Sequence, residues 1–196
     1  MGDIKSALEI AMEKVEKLGE ATEEERLRWK YVPQGKELAA RYLKGDVNLV
    51  TELDKYEENV KKYITEGAAE VLIRNVSLPN NDAAKQNNRR AMDGLKVLKS
   101  DKGGVENTYS QIRYLFNHYA EQGGQQRKQA YEQLKTDFEA KIQQAIKQQL
   151  GSFEGMKIDV EKQPQFQQEW RTVQTQLDSQ YINLLGEYKQ TLSGLA

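Results

Sequence analysis

GMKIDVEKQPQFQQEW, residues 155–170, is the one stretch where the helical rhythm of the chain stops and another period begins. Met156, Ile158 and Val160 are apolar while Lys157, Asp159 and Glu161 between them are polar, which is the period of two of a strand. On both sides the apolar residues return every three to four positions. Pro164 stands where a first helical turn accepts proline, and Phe166, Trp170, Val173, Leu177, Tyr181, Leu184, Tyr188 and Leu192 then mark out one long helix. Before the stretch, Ala130, Leu134, Phe138, Ile142 and Ile146 step by four through a glutamine-rich helix that ends near Leu150. Two helices matched in period and joined by a short insert predict an antiparallel hairpin with the insert at its tip. A lone strand is not stable in water, so 156–161 either packs as a loop on the hairpin or pairs with another backbone. The sharper expectation is pairing with a second strand, at an interface that takes in Met156, Ile158, Val160, Phe166 and Trp170.

Working back from the hairpin, Val105, Tyr109, Ile112, Phe116 and Tyr119 form a further seam, which Gly123-Gly124 is expected to interrupt. DKGG at 101–104 is the clearest internal boundary. Ahead of it a thin stripe of Ala84, Ala91, Leu95 and Leu98 carries Lys85, Arg89, Arg90 and Lys96 on its basic face, with Asp82 as the expected cap and Pro79 as the breaker before it. Leu49, Leu53, Tyr56, Val60, Tyr63, Val71 and Leu72 read as one long helix. Within it, Gly67-Ala68-Ala69 is either a flat surface for close approach of another helix or a tolerated kink. Thr22 and Glu25 form a capping box whose helix Pro33 ends or kinks, and a short helix from Gln34 closes at Gly45. Ile4, Leu8, Ala11, Val15 and Leu18 give the first seam, of coiled-coil type.

The expected fold is therefore all-α: an elongated bundle of about six helices, with residues 1–102 as an N-terminal helical part, 103–196 as a long antiparallel hairpin, and one short extended segment at 156–161. At 196 residues the chain can bury a core without staples, and its 38% apolar share suits slender helices that bury one stripe each. No cysteine occurs, which excludes disulfides, thiol catalysis and thiolate-bound zinc. Net charge is −1, and the portions on either side of Leu98 are each near neutral, which argues against a broad nucleic-acid footprint. No apolar run reaches the length of a membrane span, and no secretory signal opens the chain; the expected compartment is the cytoplasm. Met1-Gly2 through Ser6 fits the loose N-myristoylation pattern, but Asp3 capping the first helix is the simpler reading.

Chemistry-bearing motifs are sparse. His118 is the single histidine, with Leu115 three residues before it, so no Glu-x-x-His pair of a di-metal carboxylate site exists. Ser110 shares its helix without an acid or an oxyanion hole placed beside it. Neither the Walker spacing nor Gly-x-Gly-x-x-Gly occurs. Asp159 and Glu161, two apart on an extended segment, would point to one face where paired acids can share a proton or hold a cation; the wet face of a strand explains them better. Tyr56, Tyr63, Tyr109, Tyr119, Tyr181 and Tyr188 sit on or beside seams, as suits boundaries apolar on one side and wet on the other. No catalytic, metal or cofactor residue is assigned.

The combination of DIKSALEIAMEKVEKLGE near the N-terminus, the IRNVSLPNND loop and the IDVEKQPQFQQEW segment resembles a small family of uncharacterised bacterial all-helical proteins, over most of the chain. That family has no assigned activity, so the resemblance implies no site residues. Function is therefore read from the seams. Narrow apolar stripes on nearly every helix exceed what one thin bundle can bury, so the favoured role is a non-enzymatic assembly or protein-interaction module, a homo-oligomer or one with a protein partner. The alternative is nucleic-acid association through Lys85, Arg89, Arg90, Lys96, Lys99 and Lys102, and the third is an enzyme whose site the sequence does not disclose.

Overall fold

The computed structural model describes residues 21–150 and 159–196, so the N-terminal seam and Met156 and Ile158 lie outside the described residues. Among the described residues the fold is all-α: α1 (Glu23–Lys44), α2 (Leu49–Leu53), α3 (Glu58–Asn75), α4 (Asp82–Leu98), α5 (Lys102–Leu150) and α6 (Pro164–Gly194), with a 3-10 turn at Val160–Lys162. The chain groups into two compact units. One comprises the described residues up to Val76 with Gln86–Val105 and Leu192–Ala196, and the other comprises Ser77–Lys85 with the described part of Glu106–Thr191.

In the first unit, α1 starts on the expected capping box: Thr22 accepts from the Glu25 amide at 3.2 Å, and the Glu25 carboxylate accepts from the Thr22 amide at 2.8 Å. The Thr22 amide holds the Glu25 carboxyl below its ordinary range. Pro33 neither ends nor splits the helix, which runs on to a C-cap at Gly45, where φ is +93°. The proline removes a backbone donor, and the Gln34 side chain supplies one nearby, to the Lys30 carbonyl at 3.2 Å. The turn that follows packs on α3, which holds the helix together.

That packing answers what Gly67 is for. A Cβ on Gly67 would stand 2.1 Å from the Val32 carbonyl oxygen, and a Cβ on Gly35 would stand 2.1 Å from that of Ile64. The two helices thus touch backbone to backbone, each through a glycine, and Gly67 marks a close approach and not a kink. Lys62 with Glu24, Arg28 with Glu66, and Lys36 with Glu70 flank the contact, so the helices run parallel. Parallel packing also explains why the long helix expected from Leu49 is broken. The chain must return from Gly45 to the start of α1, roughly 30 Å, and thirteen residues in helical form span only about 20 Å. Asn48 caps the short α2 through the Thr51 amide, and the chain turns at 54–57 before α3 begins. The core of this unit is Leu38, Leu49, Ile64, Leu72, Ala91, Leu95 and Leu192, all buried. A Cβ on Gly94 would stand 2.7 Å from side-chain carbons of Leu72 and Tyr42, so a larger residue there would displace them.

In the second unit α4 begins on Asn81, not Asp82: the Asn81 carboxamide accepts from the Ala84 amide at 2.8 Å, leaving Asp82 to pair with Lys85. α5 passes through Gly123-Gly124 without interruption. α5 and α6 form the expected antiparallel hairpin, because contacts move back along α6 as they move forward along α5: Tyr119 with Tyr181, Arg127 with Asp178, Tyr131 with Trp170, Phe138 with Phe166.

The described end of the opening stretch is a turn where a strand was expected at Val160 and Glu161. Asp159 pairs with Lys162 at 2.8 Å, and the Gln163 amide donates to the Val160 carbonyl at 3.0 Å, which closes the backbone before Pro164 starts α6. Val160 is buried, so this part of the stretch packs on the hairpin as a loop.

Candidate functional site

The hairpin carries a connected set of cross-helix polar contacts. The Arg127 guanidinium lies 3.0 Å from the Asp178 carboxylate and donates to the Tyr119 carbonyl at 3.0 Å, with its carbon 4.0 Å from the centre of the Tyr119 ring. The Tyr119 hydroxyl donates to the other Asp178 oxygen at 3.2 Å, and its ring stands edge-on to Tyr181, 5.1 Å between centres. Burial pushes the Tyr119 hydroxyl's pKa up, as the phenolate would lose its water. Tyr181 continues the chain of contacts to His118, whose Nδ1 lies 3.0 Å from the tyrosine oxygen. Gly123 leaves room for the cluster, since a Cβ there would stand 3.0 Å from the Arg127 guanidinium and 3.1 Å from the Tyr181 oxygen. A glycine that reads as a helix break is instead clearance for an arginine and a tyrosine.

A second cluster lies further along. Tyr131 stands edge-on to both Phe166 and Trp170, and Phe138 edge-on to Phe166. Glu161 accepts from Lys135 at 2.7 Å, a bond that holds its carboxyl below the ordinary range and raises the lysine. The Lys162 hydrogen bond likewise lowers Asp159. The two acids are thus engaged by separate lysines on the protein surface. Of the apolar residues singled out around the tip, Val160 and Phe166 are buried within the hairpin and Trp170 is half-buried.

Beside the first cluster a groove of about 640 Å³ runs between the two helices. α5 borders it with Tyr114, Leu115, His118 and Gln126. From α6 come Val173, Leu177 and Leu184, flanked by Tyr181 and Tyr188, with Gln176 and Gln180 on the polar edge. Tyr114 is 74% exposed and Leu184 is 37% exposed. In a chain where 30% of residues are charged, no Asp, Glu, Lys or Arg lines this groove.

The helical wheel of α6 explains why the groove is open. At 3.6 residues per turn, Tyr181, Leu185 and Leu192 share one flank and Val173, Leu177 and Leu184 the neighbouring one. The first flank is buried, while the second is half-buried to exposed. The apolar sector of α6 is thus wider than one partner helix covers.

The basic residues of α4 and of the segment that follows it go largely to helix ends. Lys85 pairs with Asp82, Arg90 donates to the Leu43 carbonyl at 2.9 Å, and Lys99 donates to the Leu195 carbonyl at 2.6 Å, where burial pulls its pKa down. Lys102 reaches the Val97 carbonyl at 3.3 Å, while Arg89 and Lys96 lie exposed. Among the described residues no group of three or more His, Cys, Asp or Glu is placed to hold a metal, and no helix is long and apolar enough to cross a membrane.

Fold and site together define an all-α protein with an antiparallel helical hairpin that bears an uncharged, partly apolar groove. The chain belongs to a family of unknown function, DUF6657, whose sequence model matches residues 50–194. The match takes in the whole hairpin and excludes α1. Comparison with curated proteins and with solved structures gives no match.

Proposed function

We propose that the protein is a non-enzymatic assembly module that joins copies of itself through the hairpin. The observation that carries this reading is the uncharged groove with Tyr114 and Leu184 at its surface, on a chain otherwise dense in charge. Apolar side chains gathered along one helical flank, and not scattered singly, are the pattern of a contact surface. The missing charge argues against phosphate, nucleic acid or an anionic membrane as the occupant, since each is held through Lys and Arg. The polar groups next to the groove bond to one another across the hairpin, a use that fixes the scaffold. Lys85 and Arg90 of α4, with Lys99 and Lys102 beyond it, similarly serve carbonyls or a neighbouring carboxylate.

Size-exclusion chromatography with light scattering, at tens of micromolar, tests the reading. An oligomer that Leu184→Asp converts to monomer, with circular dichroism unchanged, supports it. A strict monomer overturns it.

A further inference from the structure

Resting on that reading, the geometry points to how two copies meet: α6 pairs with α6 of the second copy, antiparallel, about a two-fold axis that passes beside Gln180. The open flank of α6 reads Val173, Leu177, Gln180, Leu184, Tyr188. Its pattern is symmetric about the point between Gln180 and Tyr181. Leu177 and Leu184 are equidistant from that point, and so are Val173 and Tyr188. A two-fold contact requires that residue i meet j while j meets i, and this stripe satisfies it in one register. Leu177 of each copy faces Leu184 of the other and Val173 faces Tyr188, while the two copies of Gln180, each half a residue from the axis, lie about 1.5 Å apart along the helix direction.

Three observations favour a second copy over an unrelated helix. A surface that meets itself brings like charges together, and no Asp, Glu, Lys or Arg lines this groove. From Val173 to Tyr188 the charged residues of α6 are Asp178, matched by Arg127 within the same copy, and the exposed Glu187. A copy of α6 is therefore a glutamine-edged helix sparse in charge, the kind that the groove fits. Gln180, the polar groove residue nearest the axis, has both donor and acceptor groups, so two of them there can bond reciprocally. A polar pair in such a seam fixes register and orientation at some cost in affinity.

The chain lacks cysteine, so single Cys substitutions give clean cross-links. Under oxidation, Gln180→Cys should link to its own mate. Val173→Cys should not, because the antiparallel register separates the two copies of position 173 by roughly 22 Å, and a disulfide needs Cα atoms within about 7 Å. Mixing Val173→Cys with Tyr188→Cys chains should restore a linked product. Self-linking of Val173→Cys would mean a parallel pair and overturn the inference. A dimer by light scattering in which no variant links would place the contact elsewhere, which sinks this arrangement and leaves self-assembly standing. A monomer removes both.

Discussion

Arg127 and Asp178 face each other across the hairpin at 3.0 Å with side chains only 17% and 20% exposed, and Tyr119 binds both of them. The pair sits among aromatic contacts between α5 and α6, with Tyr119 edge-on to Tyr181 beside it. Removing a single partner strands the other, so Asp178→Ala should destabilise by about 2 kcal/mol, between an exposed pair and a fully buried one. Replacing both, Arg127→Leu with Asp178→Leu, should cost less than the two single losses added. Urea unfolding of the native chain, Arg127→Leu, Asp178→Leu and the double variant gives the coupling, and strictly additive losses would show that the pair does not act as a unit.

The reciprocal contact of Gly35 and Gly67 makes alanine at either position harmful, although alanine normally favours a helix. A Cβ 2.1 Å from a carbonyl oxygen forces α1 and α3 apart, and each substitution should cost about 1 to 3 kcal/mol. Gly124 offers the opposite case, since nothing lies within 4 Å of its Cβ direction. Gly124→Ala should stabilise by up to about 1 kcal/mol. Thermal midpoints decide both, and equal effects at positions 67 and 124 would refute the close contact.

Asn81 and Asp82 compete for the role of cap on α4, and the bond from the Ala84 amide assigns it to Asn81. Asn81→Ala should therefore cost about 1 kcal/mol, while Asp82→Ala loses only an exposed pair with Lys85 and stays near neutral. Denaturant midpoints in the same buffer distinguish them.

Glu161 gains a pH dependence from Lys135. Its carboxyl sits below the ordinary 4.5 in the folded chain, so the unfolded state binds the proton first as pH falls. The stabilisation is complete above that ordinary value and is lost as pH drops through the lower, folded one. Between about pH 5 and about pH 3, the melting temperature of the native protein should fall further than that of Glu161→Gln. Parallel declines would show that the bond does not contribute.

The seams were readable because helix periodicity survives in any context: Val105, Tyr109 and Ile112 repeat on α5 and are buried, as are Phe166, Tyr181 and Leu192 on α6. Glycine and proline were harder. Gly67, Gly123 and Pro33 have meanings set by Val32, by Tyr181 across the hairpin together with Arg127 one turn on, and by the packing of α1 on α3. The parallel course of α1 and α3, which breaks the expected long helix at 54–57, is likewise a tertiary constraint with no local signal. On α6, periodicity marked Leu184 as a seam residue, yet Leu185 is the buried one. An apolar sector's width can be read from a sequence, but which edge a partner covers cannot.

The groove's lack of charge also determines which solution conditions would govern a pair formed on it. Dilute sodium chloride acts by screening fixed charges and would find nothing there to screen. Cooling weakens apolar contact and sulfate strengthens it. Subunits joined in this way would part in an ice bath and close again on warming, so the temperature of a preparation would set its apparent mass more than its ionic strength does.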